Sequence, residues 1–342
     1  MIRILHVVTY MGRGGLETMI MNYYRHMDRT KVQFDFLVHR DFRADYDDET
    51  EALGGRVFRI SRLIPWSRKY QKELYDFLAV HREYKIIHVH QDCLSSVALK
   101  AAKGAGIPVR IAHSHSSSQD KNLKYLIKLW YKRQIPRYAT ELFACGQDAG
   151  DWMFGGAQYR IINNAIDAKR YAYDPKKALE EKCQLGFDSD SFVIGHVGRF
   201  SAVKNHAFLL DVFAKIYQRE KKAKLLLVGD GDLRAEMEQK AAEMGMAQNV
   251  CFTGVREDVA ELMQAMDVFA FPSLYEGLPV SLVEAQAAGL PCLISQQIPD
   301  ACILTGLVKK LSLQESADTW AEAILQHRHE PRHDLRRNEG AV

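Results

Sequence analysis

Short apolar runs alternate with amphipathic stretches along the whole chain. In the first half the runs fall at residues 2–9, 33–38, 56–60, 86–90, 109–114 and 141–145. Helical spacing falls between them, at 16–26, 66–82 and 122–138. Strands that read as nearly continuous apolar runs, separated by helices, predict a parallel sheet covered on both faces. A polar stretch, 167–190, interrupts the pattern, which then restarts at "SFVIGHVGRF". Further strands are expected at 225–229, 250–253, 268–271 and 292–295. The expected fold is α/β, with two doubly wound Rossmann-like domains at 1–166 and 191–342 and a linker at 167–190. Ligands of such sheets bind beyond the carboxyl ends of the strands, so a cleft between the two domains is the expected site.

Length supports this division, since 342 residues fit two domains of ~150 residues each. The net charge of +3 divides unevenly, with +8 on residues 1–165 and −5 on the rest. That excess is too small to argue for nucleic acid, and no aromatic-basic strand-binding motif accompanies it. Cysteines 93, 145, 183, 251, 292 and 302 form no C-x-x-C pair, which suits a reduced cytosol. Met1 runs directly into a strand-like segment, so no leader is expected. No apolar run approaches the ~18 residues of a membrane span.

Several motifs sit at strand ends. "GRGGLE" follows the first strand, and its Gly12, Gly14 and Gly15 suit a turn that exposes backbone amides to phosphate. A dinucleotide loop would need a small residue where Glu17 stands, although Asp41 keeps a nicotinamide oxidoreductase in view. Gly198-Arg199 closes the strand that opens the second half, and Lys204 follows five residues later. Two cations there can neutralise a diphosphate. In "EGLPVSLVEAQAAGLP", Glu276 precedes a helix start and Glu284 stands alone in an apolar helix. Two carboxylates so placed suit sugar and ribose hydroxyls, and the helix start suits an anion. Glu284 needs a partner, which a ribose could be.

Other motifs have more than one reading. His88/His90 and His113/His115 are H-x-H pairs, which put two rings on one strand face. That is metal-ligand geometry, but no spacing names a third ligand. His115 lies just past a strand end, where an imidazole can hydrogen-bond or exchange protons. Asp230-Gly231-Asp232 resembles a metal-holding D-x-D, while the plainer expectation is that Asp232 caps the next helix. Residues 121–137 are basic, and Leu123, Leu126, Ile127 and Trp130 share a helical face. That face suits either core packing or anionic lipid headgroups.

Together these motifs resemble the retaining nucleotide-sugar glycosyltransferases of family 4, which have the GT-B fold. "GRGGLE", "IAHSHSS", "RIINNAID", "GRFSAVKN", "LLLVGDGDLR" and the E-x7-E segment occur in the family's order over nearly the whole chain. The wording is nearest to the bacterial capsular and exopolysaccharide transferases. The resemblance implies a nucleotide-sugar donor, UDP-linked, and a lipid-linked saccharide acceptor. It implies transfer with retention, no metal or other cofactor, and a cytoplasmic enzyme that touches the inner face of the membrane through residues 121–137.

It also implies roles for residues. Gly14 and Gly15 would offer amides to the diphosphate, and Gly198, Arg199 and Lys204 would hold it. Glu276 would bind the sugar's hydroxyls and Glu284 the ribose. The backbone of Val255 would read the base, and His115 would lie between donor and acceptor. Relatives often have Gly-Phe-Gly where this chain has Gly277-Leu278-Pro279. Proline donates no amide, so contacts would pass to Leu278, Val280 and Ser281. The polar ending "HEPRHDLRRNEGAV" lacks the family's closing helix, which implies a weakened domain clamp. A binding protein that kept the fold and lost turnover is the remaining alternative.

Overall fold

Along the strand Ala223–Val228, Leu225 and Leu227 pack into one apolar cluster and Leu226 and Val228 into another. Successive side chains of a strand face opposite ways, so this strand is buried on both sides. The computed structural model describes residues 1–118 and 125–332. The chain divides into two units, Met1–Ala165 and Ile166–Val342.

The first unit holds seven strands: β1 (Ile2–Val7), β2 (Val32–Val38), β3 (Val57–Arg59), β4 (Ile86–Val89), β5 (Val109–Ser114), β6 (Glu141–Ala144) and β7 (Arg160–Ile161). Their order is β3-β2-β1-β4-β5-β6-β7, and every pairing is parallel. Leu5, Val7, Ile87, Val89 and Ala112 form one core with the helices Arg68–Val80 and Ser95–Gly104. The residues between them in sequence face the other way, which brings His6 into register with His88.

The second unit holds β8 (Phe192–Val197), β9 (Ala223–Val228), β10 (Val250–Gly254), β11 (Val268–Phe271), β12 (Cys292–Ser295) and β13 (Val308–Leu311). The order is β10-β9-β8-β11-β12-β13, again parallel. Each sheet reverses its winding beside its first strand, at β1/β4 and β8/β11. Such switch points open a crevice at the strands' carboxyl ends.

Two expectations change. The stretch 167–190 carries the helices Ala168–Tyr171 and Pro175–Gln184, which pack against the helix Val259–Ala265 of the second unit. The basic segment forms two helices, Tyr125–Lys132 and Ile135–Tyr138, because Pro136 sits in the first turn of the second and cannot continue the first. Lys121, Leu123 and Lys124 lie outside the described residues. Leu126, Ile127 and Trp130 do not enter the core: 76%, 43% and 60% of each stays exposed. Among the described residues no helix is long and apolar enough to cross a membrane.

Candidate functional site

The second unit gathers its chemistry at the carboxyl ends of β8, β9 and β11. Gly198 continues β8, its amide donating to the Val228 carbonyl at 2.9 Å. A short turn, Ala202–Lys204, follows and ends at Asn205 in the left-handed region, φ 55°. This turn aims the Lys204 side chain back over the sheet. Its Nζ lies 4.6 Å from the Phe271 ring centroid and 2.6 Å from Glu276 Oε1. Both side chains are largely buried, 17% and 14% exposed. The loop that carries Glu276 is tied to the same turn by the Leu274 amide, which donates to the Val203 carbonyl at 2.8 Å.

Glycines make this close packing possible. A Cβ on Gly198 would stand 2.9 Å from His196 Nε2 and 3.2 Å from Lys204 Cε. Gly229 adopts φ 137°, and a Cβ there would overlap the Gly198 carbonyl oxygen. The ends of β8 and β9 therefore meet backbone to backbone.

Arg199 reaches outward beside them. Its guanidinium is 3.7 Å from Asp232, and the two side chains are 66% and 93% exposed. Asp232 does not cap the next helix, contrary to expectation. That helix, Arg234–Glu243, starts after Leu233 without a side-chain cap. Asp230 takes the local role instead, its Oδ1 accepting from the Gly231 amide at 2.7 Å.

The helix Val280–Ala287 follows Pro279, whose φ of −70° suits a helix start. No side chain caps it, so the first-turn amides of Val280 and Ser281 are not spent on one. Gly277 and Leu278 lead into that turn. Glu284 is buried four residues inside it, 6% exposed. Its Oε1 accepts from the Tyr171 hydroxyl at 2.6 Å. Burial pushes its carboxyl pKa up, and the Tyr171 bond pulls it part of the way back. The partner that Glu284 needs is thus supplied by the chain, from a residue the sequence did not single out. Val255 stands one residue beyond β10 and is half exposed.

In the first unit, Gly14 is the N-cap of the helix Gly15–His26. The Glu17 side chain folds back over it, and a Cβ on Gly14 would overlap the carboxylate. Glu17 therefore does not point away from these amides, as an open phosphate loop would need. Burial raises its pKa to about 7. Asp41 is exposed just beyond β2.

His115 lies just past β5 as the outer member of a ring cluster. Its Nε2 is 2.9 Å from His90 Nδ1, and His90 Nε2 is 3.0 Å from His6 Nδ1. His88 Nε2 lies 3.1 Å from His113 Nδ1. Burial holds His115 and His6 down at about 3. His88, His90 and His113 are likewise held well below the usual range by burial, and neighbouring rings add to it. All five are neutral imidazoles at pH 7. The two H-x-H pairs were visible in sequence, but His6, eighty-four residues before His90, carried no signal.

Comparison with known proteins bears on this arrangement. Residues 13–170 match the model described as Glycosyltransferase Family 4, and 191–329 match Glycosyl transferases group 1. The chain is 42% identical over 332 residues to EpsF of Bacillus subtilis (strain 168), spanning 94% of this chain and 86% of that protein. It is 24% identical over 333 residues to the capsular polysaccharide biosynthesis glycosyltransferase CapH of Staphylococcus aureus, spanning 95% and 90%. In fold it is similar to Anabaena HepE, crystallised with UDP and glucose. That match has a TM-score of 0.80 at 20% identity and covers 96% of this chain and 90% of that one.

Proposed function

This chain belongs to glycosyltransferase family 4 and has the GT-B fold, and from that premise we propose that it moves a sugar from a UDP-sugar to a hydroxyl of a lipid-linked saccharide, with retention, in building a surface polysaccharide. The observation that carries the reading is the Lys204–Glu276 pair, set beside Arg199 and the uncapped start of the helix Val280–Ala287. It joins cations and amides for a diphosphate to a carboxylate for sugar hydroxyls. The bound UDP and glucose of HepE and the capsular role in CapH's name support the donor and the product class.

As the anomeric bond breaks, negative charge gathers on the departing diphosphate. Arg199, Lys204 and the amides of Leu278, Val280 and Ser281 receive it, Lys204 having turned from Glu276 when the donor binds. Such preorganised stabilisation needs no reorganisation at the moment of reaction. No metal is required on the diphosphate, since two cations do that work. Gly198 lets the chain pass close beneath it. Once Lys204 turns to phosphate, Glu276 is released to accept from the sugar's hydroxyls. Glu284, held by Tyr171, binds the ribose, and the Val255 backbone reads the base. Gly14 and Gly15 add amides when Glu17 is protonated. His115 is neutral, so it orients hydroxyls by hydrogen bonding and does not serve as a strong base. On this reading none of the described residues serves as a covalent nucleophile, and retention follows from attack on the donor's own face.

The exposed Leu126, Ile127 and Trp130, with Arg133 and Arg137 beside them, give the chain a surface for anionic lipid, where a lipid-linked acceptor resides. A screen of sugar nucleotides, reading nucleotide release with and without EDTA, tests the whole reading. Release from a UDP-sugar that persists in EDTA is expected. Strict dependence on manganese, or tight donor binding without turnover, overturns it.

A further inference from the structure

The parallel register of β1, β4 and β5 stacks five histidines on one sheet face at the strands' carboxyl ends. We propose that His90, His113 and His115 form a zinc site. One ring nitrogen of each lies within 4.8 Å of the other two. Nitrogens on one tetrahedral zinc stand ~3.3 Å apart, so small ring rotations complete the set.

Two overlapping triads share His90, since His6, His88 and His90 also fall within 4.8 Å of one another. Two observations support an ion in the other one, and its position, the third, chooses it. First, His113 Nε2, like His6 Nε2 in the other triad, is a buried polar atom without a hydrogen-bond partner, on a residue 2% exposed. Such orphans are rare and call for a reason. His113 Nδ1 is already engaged by His88, so Nε2 is the atom left to ligate. Second, the remaining histidines fall into place as the outer shell. His6 holds His90 Nε2 and His88 holds His113 Nδ1, while an ion takes the place of the contact between His90 Nδ1 and His115 Nε2. Partners of this kind fix the tautomer and orientation of ligating rings. Third, His90 and His115 both lie just past their strands, β4 and β5, whereas His6 and His88 sit within β1 and β4, so the outer triad stands at the strands' carboxyl ends, where the half-buried His115 gives an ion a way in.

The chemistry selects the metal class. Three neutral imidazoles with a fourth position open suit zinc, whereas calcium and magnesium prefer oxygen. Burial already keeps these rings deprotonated at pH 7, the form that ligates. Zinc bound there withholds His115 from a sugar, so the loaded form is the slower transferase. That consequence rests on the proposed transfer reaction; the binding itself does not.

The test titrates zinc chloride into the full, chelator-stripped chain by calorimetry, without donor, and records the absorption of the cobalt-loaded chain. One ion per chain is expected, with the spectrum of a four-coordinate cobalt held by three imidazoles and a water, and no sulfur charge-transfer band. His115→Gln should weaken binding ~100-fold, and the outer-shell change His88→Gln ~10-fold. Cys183→Ser, at an exposed thiol, should leave it unchanged. His115 is only partly buried, so its variant keeps the test alive if His113→Gln fails to fold. The proposal is overturned if folded wild type takes up no zinc, if His115→Gln binds as tightly as wild type, or if Cys183→Ser abolishes uptake.

Discussion

Lys204 Nζ and Glu276 Oε1 stand 2.6 Å apart, seventy-two residues apart in sequence, so each neutralises the other before any donor arrives. On the proposed donor site, a diphosphate must compete with Glu276 for the lysine. Glu276→Gln should therefore bind free UDP more tightly, by about 1 kcal/mol or some fivefold, since a partly exposed pair contributes about that much. The same variant should lose turnover, because the sugar loses an acceptor for its hydroxyls. Lys204→Ala should lose ~10²–10³ in kcat/KM while its circular dichroism stays that of wild type. Calorimetry with UDP checks the first expectation; weaker binding by Glu276→Gln would refute the competition.

The exposed face of the helix Tyr125–Lys132 makes a separate prediction. Leu126 and Trp130 are mostly in water, so Leu126→Ser with Trp130→Ser should cost little stability. If these side chains enter a lipid surface, each contributes about 1.5–3 kcal/mol to binding when fully buried. The double variant should lose at least tenfold in co-sedimentation with anionic vesicles. Wild-type binding should fall with added salt and with neutral lipid. Equal binding to neutral and anionic vesicles would remove the basic face from the account.

What could be read from the sequence depended on whether the signal was local. The strand 109–114 was placed to the residue, because a short apolar run between turn residues has few alternatives. Lys204 and Glu276 were also singled out, since each follows a strand end, and the fold pairs their side chains. β13 was missed: it is an edge strand carrying Lys309 and Lys310, and charge at an edge guards against aggregation while hiding the apolar pattern. β7 has only two residues and leaves almost no pattern. Tyr171 and His6 were missed for another reason. Their partners lie 113 and 84 residues away, and only the sheet's register and helix packing bring them together. Asp232 was misjudged because the helix begins one residue later than its pattern suggests, which puts Leu233 at the N-cap.

Gly229 tests whether the meeting of β8 and β9 sets the site's shape. Alanine there must hold φ 137° and overlaps the Gly198 carbonyl. Strain of this kind costs ~1–3 kcal/mol, a fall of several degrees in Tm. Because the displaced atom belongs to the backbone beside Arg199, Gly229→Ala should also weaken UDP binding. Gly156→Ala is the control, since nothing lies within 4 Å of its added Cβ and its φ is not in the left-handed region. Thermal unfolding of both, with and without UDP, checks this; two neutral variants would show that the strand ends adjust freely.

Glu17 links the first glycine loop to pH. Its folded pKa is raised from 4.5 to about 7, chiefly by burial. Below 4.5 the group is protonated in both states and folding is not penalised. Between 4.5 and about 7 the unfolded chain ionises while the folded one does not, so stability is lost as pH rises. Above about 7 both are ionised and the loss is complete. Glu17→Gln removes this titration. The difference in stability, variant minus wild type, should be near zero at pH 4.5, grow to about 1–2 kcal/mol at pH 7 and stay level beyond, the figure being discounted for partial exposure. The ionised carboxylate also lies over Gly14, so on the proposed role of that loop it would repel a diphosphate. UDP affinity of wild type should therefore fall across pH 7 relative to Glu17→Gln, whose own profile lacks that step. Chemical denaturation and UDP titration from pH 4.5 to 8.5 measure both curves. A stability difference that grows as pH falls would reverse the sign and refute a raised pKa. A UDP step that survives in Glu17→Gln would assign the titration to another group.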